Sequence, residues 1–129
     1  MPSFHIRPDA IPAVPGAYAL VVVLEAPAAG LPPGRYIYCG SARGSGGLGA
    51  RLSRHMRRGK AVRWHVDRLT EAGRVLGAWV FEGGDECALV RALAHLPVPL
   101  PGFGSSDCRA CASHLLSWPE GQTLPWKRE

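Results

Sequence analysis

Within residues 36–55, YIYCGSARGSGGLGARLSRH, a tyrosine-bearing apolar stretch gives way to glycines and then to a helix-forming stretch loaded with arginine. Arginine's planar fork suits bidentate contact with phosphate oxygens, and a glycine-rich turn can present backbone N–H groups to an anion. Charge is concentrated here. From Arg43 to Arg74, nine of the chain's fifteen basic residues stand against two acids, Asp67 and Glu71. A composition rich in Arg, Ala, Gly and Pro explains arginine over lysine, but not this clustering. The formal net charge of +5 points toward a polyanionic partner. Among the acids, Glu86 shares a helical stripe with Leu89, Val90 and Leu93, so its carboxylate is not simply solvated. Each feature also has a plainer reading. Strand tyrosines are good β-formers, helix arginines usually face solvent, and Glu86 favours its helix dipole, with Asp85 and Glu82 as rival acids.

Strands and helices must hold these side chains. GAYALVVVLE from Gly16 and RYIYCGSA from Arg35, separated by the turn-rich APAAGLPPG, predict an antiparallel hairpin with a long connection. Alternation puts Tyr18, Leu20 and Val22 on one face, and Tyr36 and Tyr38 on one face of the partner. Whether these faces coincide depends on register. GARLSRHMRR predicts a helix closed at Gly59, with Leu48, Leu52 and Met56 inward, Arg51, His55 and Arg58 at the border and Arg57 outward. AVRWHVDRLTEAG predicts a second helix, RVLGAWVFEG a third strand, and GGDECALVRALAHL a third helix ended by Pro97. SSDCRACASHLLSW predicts a further helix capped by Ser106 or Asp107, and PEGQTLPWKRE stays unassigned. The fold class is therefore α+β, a small, mainly antiparallel three-stranded sheet flanked by helices. A chain of 129 residues, 47% apolar, makes one domain; these elements give it a core spanning about residues 14–117 and a tail at 118–129.

The N-terminal MPSFHIRPDAIP has no apolar stretch behind a positive start, and AYALVVVL is too short to span a bilayer. The chain reads as cytoplasmic, without a membrane partner. Cys39, Cys87, Cys108 and Cys111 then read as thiols or ligands rather than disulfides. Cys108-x-x-Cys111-x-x-His114 invites a zinc reading with Cys87 or Asp107 as fourth ligand. Structural zinc more often shows two separated ligand pairs, which favours buried thiols and a hydrogen-bonded histidine.

Gly16-Ala17-Tyr18 and Tyr38-Cys39-Gly40 resemble the two name-giving motifs of the GIY-YIG nuclease superfamily. Arg51-x-x-x-His55 and Glu86 follow in the same order. With YCGSA, RWHVDRL and PGFGSSDCRACASHL, the resemblance covers nearly the whole chain and is nearest to small single-domain prokaryotic members of unknown function. It departs at both middle isoleucines, replaced by Ala17 and Cys39, and at a late asparagine whose place Ser105, Ser106, Asp107 or His114 would fill.

The resemblance implies a metal-dependent endonuclease acting on DNA, perhaps branched or damaged DNA, or RNA. One Mg²⁺ or Mn²⁺ would be held by Glu86. Tyr18 would be the general base or proton relay, helped by a nearby cation because a phenol's ordinary pKa is near 10, and Tyr38 would support it. Arg51 would brace the scissile phosphate and His55 would orient it or assist proton transfer. Arg43, Arg54, Arg58, Lys60 and Arg63 would follow the nucleic-acid backbone. His65 and Asp67 read as locally bonded and Trp64 as core. The rival expectation is a binding module that keeps the fold and basic face without turnover.

Overall fold

The apolar run of residues 16–24 lacks the in–out alternation of a half-buried strand because it is covered on both faces. In the computed structural model, which describes residues 2–62, 65–101, 103 and 113–126, this run is strand β2 (Gly16–Leu24), with all but Val23 buried. The other elements are β1 (Ser3–His5), β3 (Gly34–Ala42), α1 (Gly47–Met56), α2 (His65–Ala72), β4 (Arg74–Glu82), α3 (Glu86–Ala92) and β5 (Leu115–Ser117). The sheet is five-stranded in the order β1-β4-β2-β3-β5, antiparallel throughout.

The α+β class holds, but the sheet has five strands rather than the expected three. Both extra strands are three-residue edge strands, too short to show periodicity. β1 is anchored by Phe4, whose ring meets Trp79 edge-on at 4.6 Å. β5 falls at the end of the segment expected to be helical; there Leu115 and Leu116 instead face opposite layers of core. The rest of that expected helix, residues 105–112, lies outside the described residues, as do its caps Ser106 and Asp107.

Two layers of side chains fill the space on either side of the sheet. Tyr18, Leu20 and Val22 pack with Leu48 and Leu52 of α1 and Val66 and Leu69 of α2. On the other face Ala17, Ala19, Val21 and Cys39 pack with Trp79 and with Leu89 and Leu93 around α3. Ala17 and Cys39 thus point away from the tyrosines, where their small size serves packing. The unassigned tail joins this second layer: Trp126 sits 5.6 Å from Trp79 and 4.9 Å from Phe81, ring to ring. The packed body therefore extends beyond residues 14–117 at both ends.

The chain leaves β3 and enters α1 through Gly46 and Gly47, at φ 82° and 56°. A Cβ on Gly47 would collide with the Val14 backbone, so only glycine permits this tight entry. α1 then runs to Met56, three residues short of Gly59. No helix among the described residues is long and apolar enough to cross a membrane.

Candidate active site

Register settles which tyrosine faces meet. Tyr18 pairs with Gly40 and Leu20 with Tyr38, so both phenols project from the α1 side, diagonal to one another across the β2–β3 ladder. Their ring centroids are 6.4 Å apart. Gly40 makes room for this: a Cβ there would land on the Tyr18 hydroxyl.

α1 supplies the next groups. Leu48, Leu52 and His55 are its buried positions, spaced four and three residues as an inward stripe requires. His55 is therefore not at the border of the stripe but in the core, 1% exposed, and Met56 is only partly buried. Tyr18 Oη lies 2.6 Å from His55 Nε2. The Arg51 guanidinium, one turn earlier, hydrogen-bonds the same hydroxyl. Arginine can only donate, so the Tyr18 oxygen accepts from Arg51, while the direction of the Tyr18–His55 bond follows the imidazole tautomer. Burial pushes the imidazole pKa down to about 3, and the Arg51 charge pushes it the same way.

The phenols are also held neutral. Burial raises Tyr18 well above the ordinary phenol value and Tyr38 adds to this; Arg51 pulls it down without overcoming the burial. Tyr38 is pushed up to about 12, first by burial and then by the Glu86 carboxylate. The expected lowering by a cation is thus present in direction, but desolvation outweighs it. Tyr38, Arg51 and Glu86 are only partly buried, whereas Tyr18 and His55 are enclosed. Phe103 closes on Tyr38 with ring centroids 6.1 Å apart.

Glu86 arrives from the other layer, as the first residue of α3. Its rivals have other places: Asp85 caps α3 by accepting from the Cys87 N–H at 3.2 Å, and Glu82 is exposed at the end of β4. The Glu86 carboxylate raises the pKa of both Tyr18 and Tyr38, so it acts on the two phenols electrostatically. Its Oε2 is 3.7 Å from Nδ1 of His114. Sequence reading placed His114 only among four fillers for a missing asparagine and in a zinc set. Its signal was weak because the contact depends on the five-strand topology. The zinc set's Cys108 and Cys111 lie outside the described residues, and among the described residues no group of three His, Cys, Asp or Glu is placed to hold a metal. Glu86, with one oxygen near an imidazole and 29% of its side chain exposed, does fit a cation completed by phosphate and water.

The basic residues divide differently from expectation. Lys60 is buried, its ammonium bonded to the Arg57 carbonyl at 2.8 Å and to Glu71 Oε2 at 3.0 Å. Arg54 donates to the fully buried Asp67 at 2.7 Å and to the Ala61 carbonyl. These two hold α1 to α2 and the segment between them rather than facing nucleic acid. Arg58 spends donors on the carbonyls of Glu71 and Gly73 while staying exposed, and Arg43 is exposed with a 3.4 Å contact to the Gly84 carbonyl. Arg57 faces solvent as expected. Arg63 and Trp64 lie outside the described residues, as does the His65 side chain.

Residues 18–126 match a family model described as Domain of unknown function DUF123. No curated protein and no solved structure matches the chain. The assignment suggested by the GIY-YIG resemblance is corrected accordingly: the matching family is a distinct one, and nothing in the match ties it to that superfamily.

Proposed function

We propose, for a chain that belongs to the DUF123 family, that it is a metal-dependent phosphodiester hydrolase acting on DNA. The observation that carries this reading is the convergence of five groups from three elements and both sheet faces. Around Tyr18 and Tyr38 of the β2–β3 hairpin, Arg51 of α1 lowers and Glu86 of α3 raises the phenol pKa values, and His55 of α1 hydrogen-bonds Tyr18. A purely structural cluster has no need to gather a guanidinium and a carboxylate around two phenols.

The groups divide the work by depth. Arg51 binds the phosphodiester and neutralises charge that grows as the phosphorus is attacked. Glu86 would hold the divalent cation, which supplies Lewis-acid stabilisation and an acidified water. Behind them Tyr18 and His55 form a proton path: the Tyr18 oxygen can take a proton from water as its own moves to Nε2. At rest this path is closed. With burial holding His55 down at about 3 and the Tyr18 phenol well above its ordinary value, moving that proton is strongly uphill. A bound phosphate opposes Arg51, whose charge is among the causes lowering His55, and so narrows the gap. Tyr38, at the partly exposed edge, bounds the site.

A second reading rests on the burial of Tyr18 and His55, each 1% exposed. An enclosed pair suits a module that binds nucleic acid without cutting it. Digestion of duplex, nicked, flapped and junction DNAs with Mg²⁺ or Mn²⁺ separates the two. Cleavage of at least one substrate supports the hydrolase; metal-independent binding with no cleavage of any supports the module.

A further inference from the structure

His114 lies beside the cluster, and both of its ring nitrogens are buried. Its side chain is 3% exposed, yet among the described residues neither ring nitrogen has a hydrogen-bond partner. Buried polar groups are normally satisfied, so such a group calls for a reason. The residue is not loosely held. The His114 carbonyl accepts from the Cys39 N–H at 2.8 Å, and its own N–H donates to the Phe103 carbonyl at 2.8 Å. The next residue, Leu115, pairs with Tyr38 in the sheet. Backbone pairing thus fixes the His114 backbone at the β3 edge, and its ring faces Glu86 at the start of α3.

Nδ1 stands 3.7 Å from Glu86 Oε2, beyond the roughly 2.7–3.2 Å of a hydrogen bond. The gap suits a cation between them. With metal–nitrogen and metal–oxygen distances of about 2.0–2.2 Å, an ion touching both atoms subtends an angle of roughly 120°. That needs no backbone movement.

We infer that His114 and Glu86 together form a two-donor seat for a first-row divalent transition cation, of which Mn²⁺ is the simplest. An imidazole nitrogen distinguishes this seat from a carboxylate alone. Mg²⁺ takes oxygen ligands, while first-row transition cations also accept an imidazole nitrogen, Mn²⁺ the most weakly of them. Two protein ligands leave positions open for phosphate oxygens and water. The inference deepens the hydrolase reading by naming its cation, and in that sense rests on it, but binding is measurable without nucleic acid.

The test is a titration of metal-stripped protein with Mn²⁺, without nucleic acid, following loss of the free-ion paramagnetic resonance signal. Mn²⁺ is the probe because the chain's four cysteines would compete for zinc or cobalt. Expected is one ion per chain, displaced by Mg²⁺ only in large excess. His114→Ala, His114→Gln and Glu86→Gln should each weaken binding by more than the roughly tenfold worth of an outer-sphere partner, with unfolding curves showing each variant folded. Wild type that fails to bind, or His114 variants that bind Mn²⁺ as tightly as wild type, overturn the inference. A protein that binds Mn²⁺ through His114 yet cuts no DNA loses the hydrolase and keeps the seat. Mg²⁺-dependent cleavage undiminished in folded His114 variants that also bind Mn²⁺ normally has the opposite meaning.

Discussion

The Tyr18 hydroxyl is hydrogen-bonded to Nε2 of His55 at 2.6 Å, joining the centre of the sheet to α1 at a buried point. Residues 37 positions apart in sequence share one proton, and Arg51 acts on both. Arg51 can only donate to the phenol oxygen, and its charge disfavours an imidazolium. Burial, ahead of that charge, keeps the imidazole neutral, and burial keeps the phenol protonated against it.

Tyr18→Phe keeps the ring and removes the hydroxyl. Stability should fall by about 1–2 kcal/mol, the net worth of a buried hydrogen bond, while cleavage is lost. Thermal unfolding and a DNA digest read the two effects separately. An unaltered melting temperature would show that the bond contributes nothing to the fold.

Acid should unfold the protein through His55. Its folded-state pKa, about 3, lies below the ordinary imidazole value of about 6.5. The unfolded chain therefore binds the extra proton first as pH falls. The stabilisation is fully present above pH 6.5 and is lost progressively toward pH 3, up to about 5 kcal/mol across that window. Urea denaturation between pH 4 and 7 checks the sign: the wild-type slope against pH should be steeper than that of His55→Gln. Parallel slopes would mean that His55 is not held neutral in the fold.

Arg54 and Arg57, three residues apart on and just after α1, should behave oppositely. Arg54→Ala leaves the buried Asp67 carboxylate without its 2.7 Å partner and should cost roughly 3 kcal/mol, with little change in the salt dependence of DNA binding. Arg57→Ala should leave stability unchanged and lower the log–log salt slope by up to about one. Urea melts and binding isotherms at several salt concentrations make the comparison.

Gly40→Ala should disturb the site without touching a reactive group. The new methyl meets the Tyr18 hydroxyl, so the ring must move off His55, at a cost of about 1–3 kcal/mol for overpacking. The substitution should also slow cleavage. A crystal structure of this variant with the Tyr18–His55 bond intact would refute the steric argument.

The long elements were legible in sequence because each repeats its signal over many residues. The β2–β3 hairpin, the Leu48–Leu52 part of the α1 stripe and the start of α3 at Glu86 appear where periodicity and caps place them, whereas His55 replaces Met56 as the last inward position of α1. What escaped was short or depended on register. β1 and β5 have three residues each, and no pattern establishes itself over three. The shared face of Tyr18 and Tyr38 needed the Leu20–Tyr38 pairing, which a long connection does not dictate. Lys60 looked like part of a basic surface because sequence shows charge but not the carboxylate of Glu71 and the carbonyl of Arg57 waiting for it. His114 shows the same limit, since only the fold brings it to Glu86.

Single-turnover cleavage of a DNA substrate by wild type, Arg51→Ala and Glu86→Gln, with each variant shown to be folded, bears most directly on the central claim. Wild type should cut in the presence of Mn²⁺ or Mg²⁺. Arg51→Ala should be slower by about 10²–10³-fold, as when one donor to a developing oxyanion is lost, and Glu86→Gln should not cut at all. Wild type that leaves every substrate whole, or variants that cut at its rate, would contradict the account.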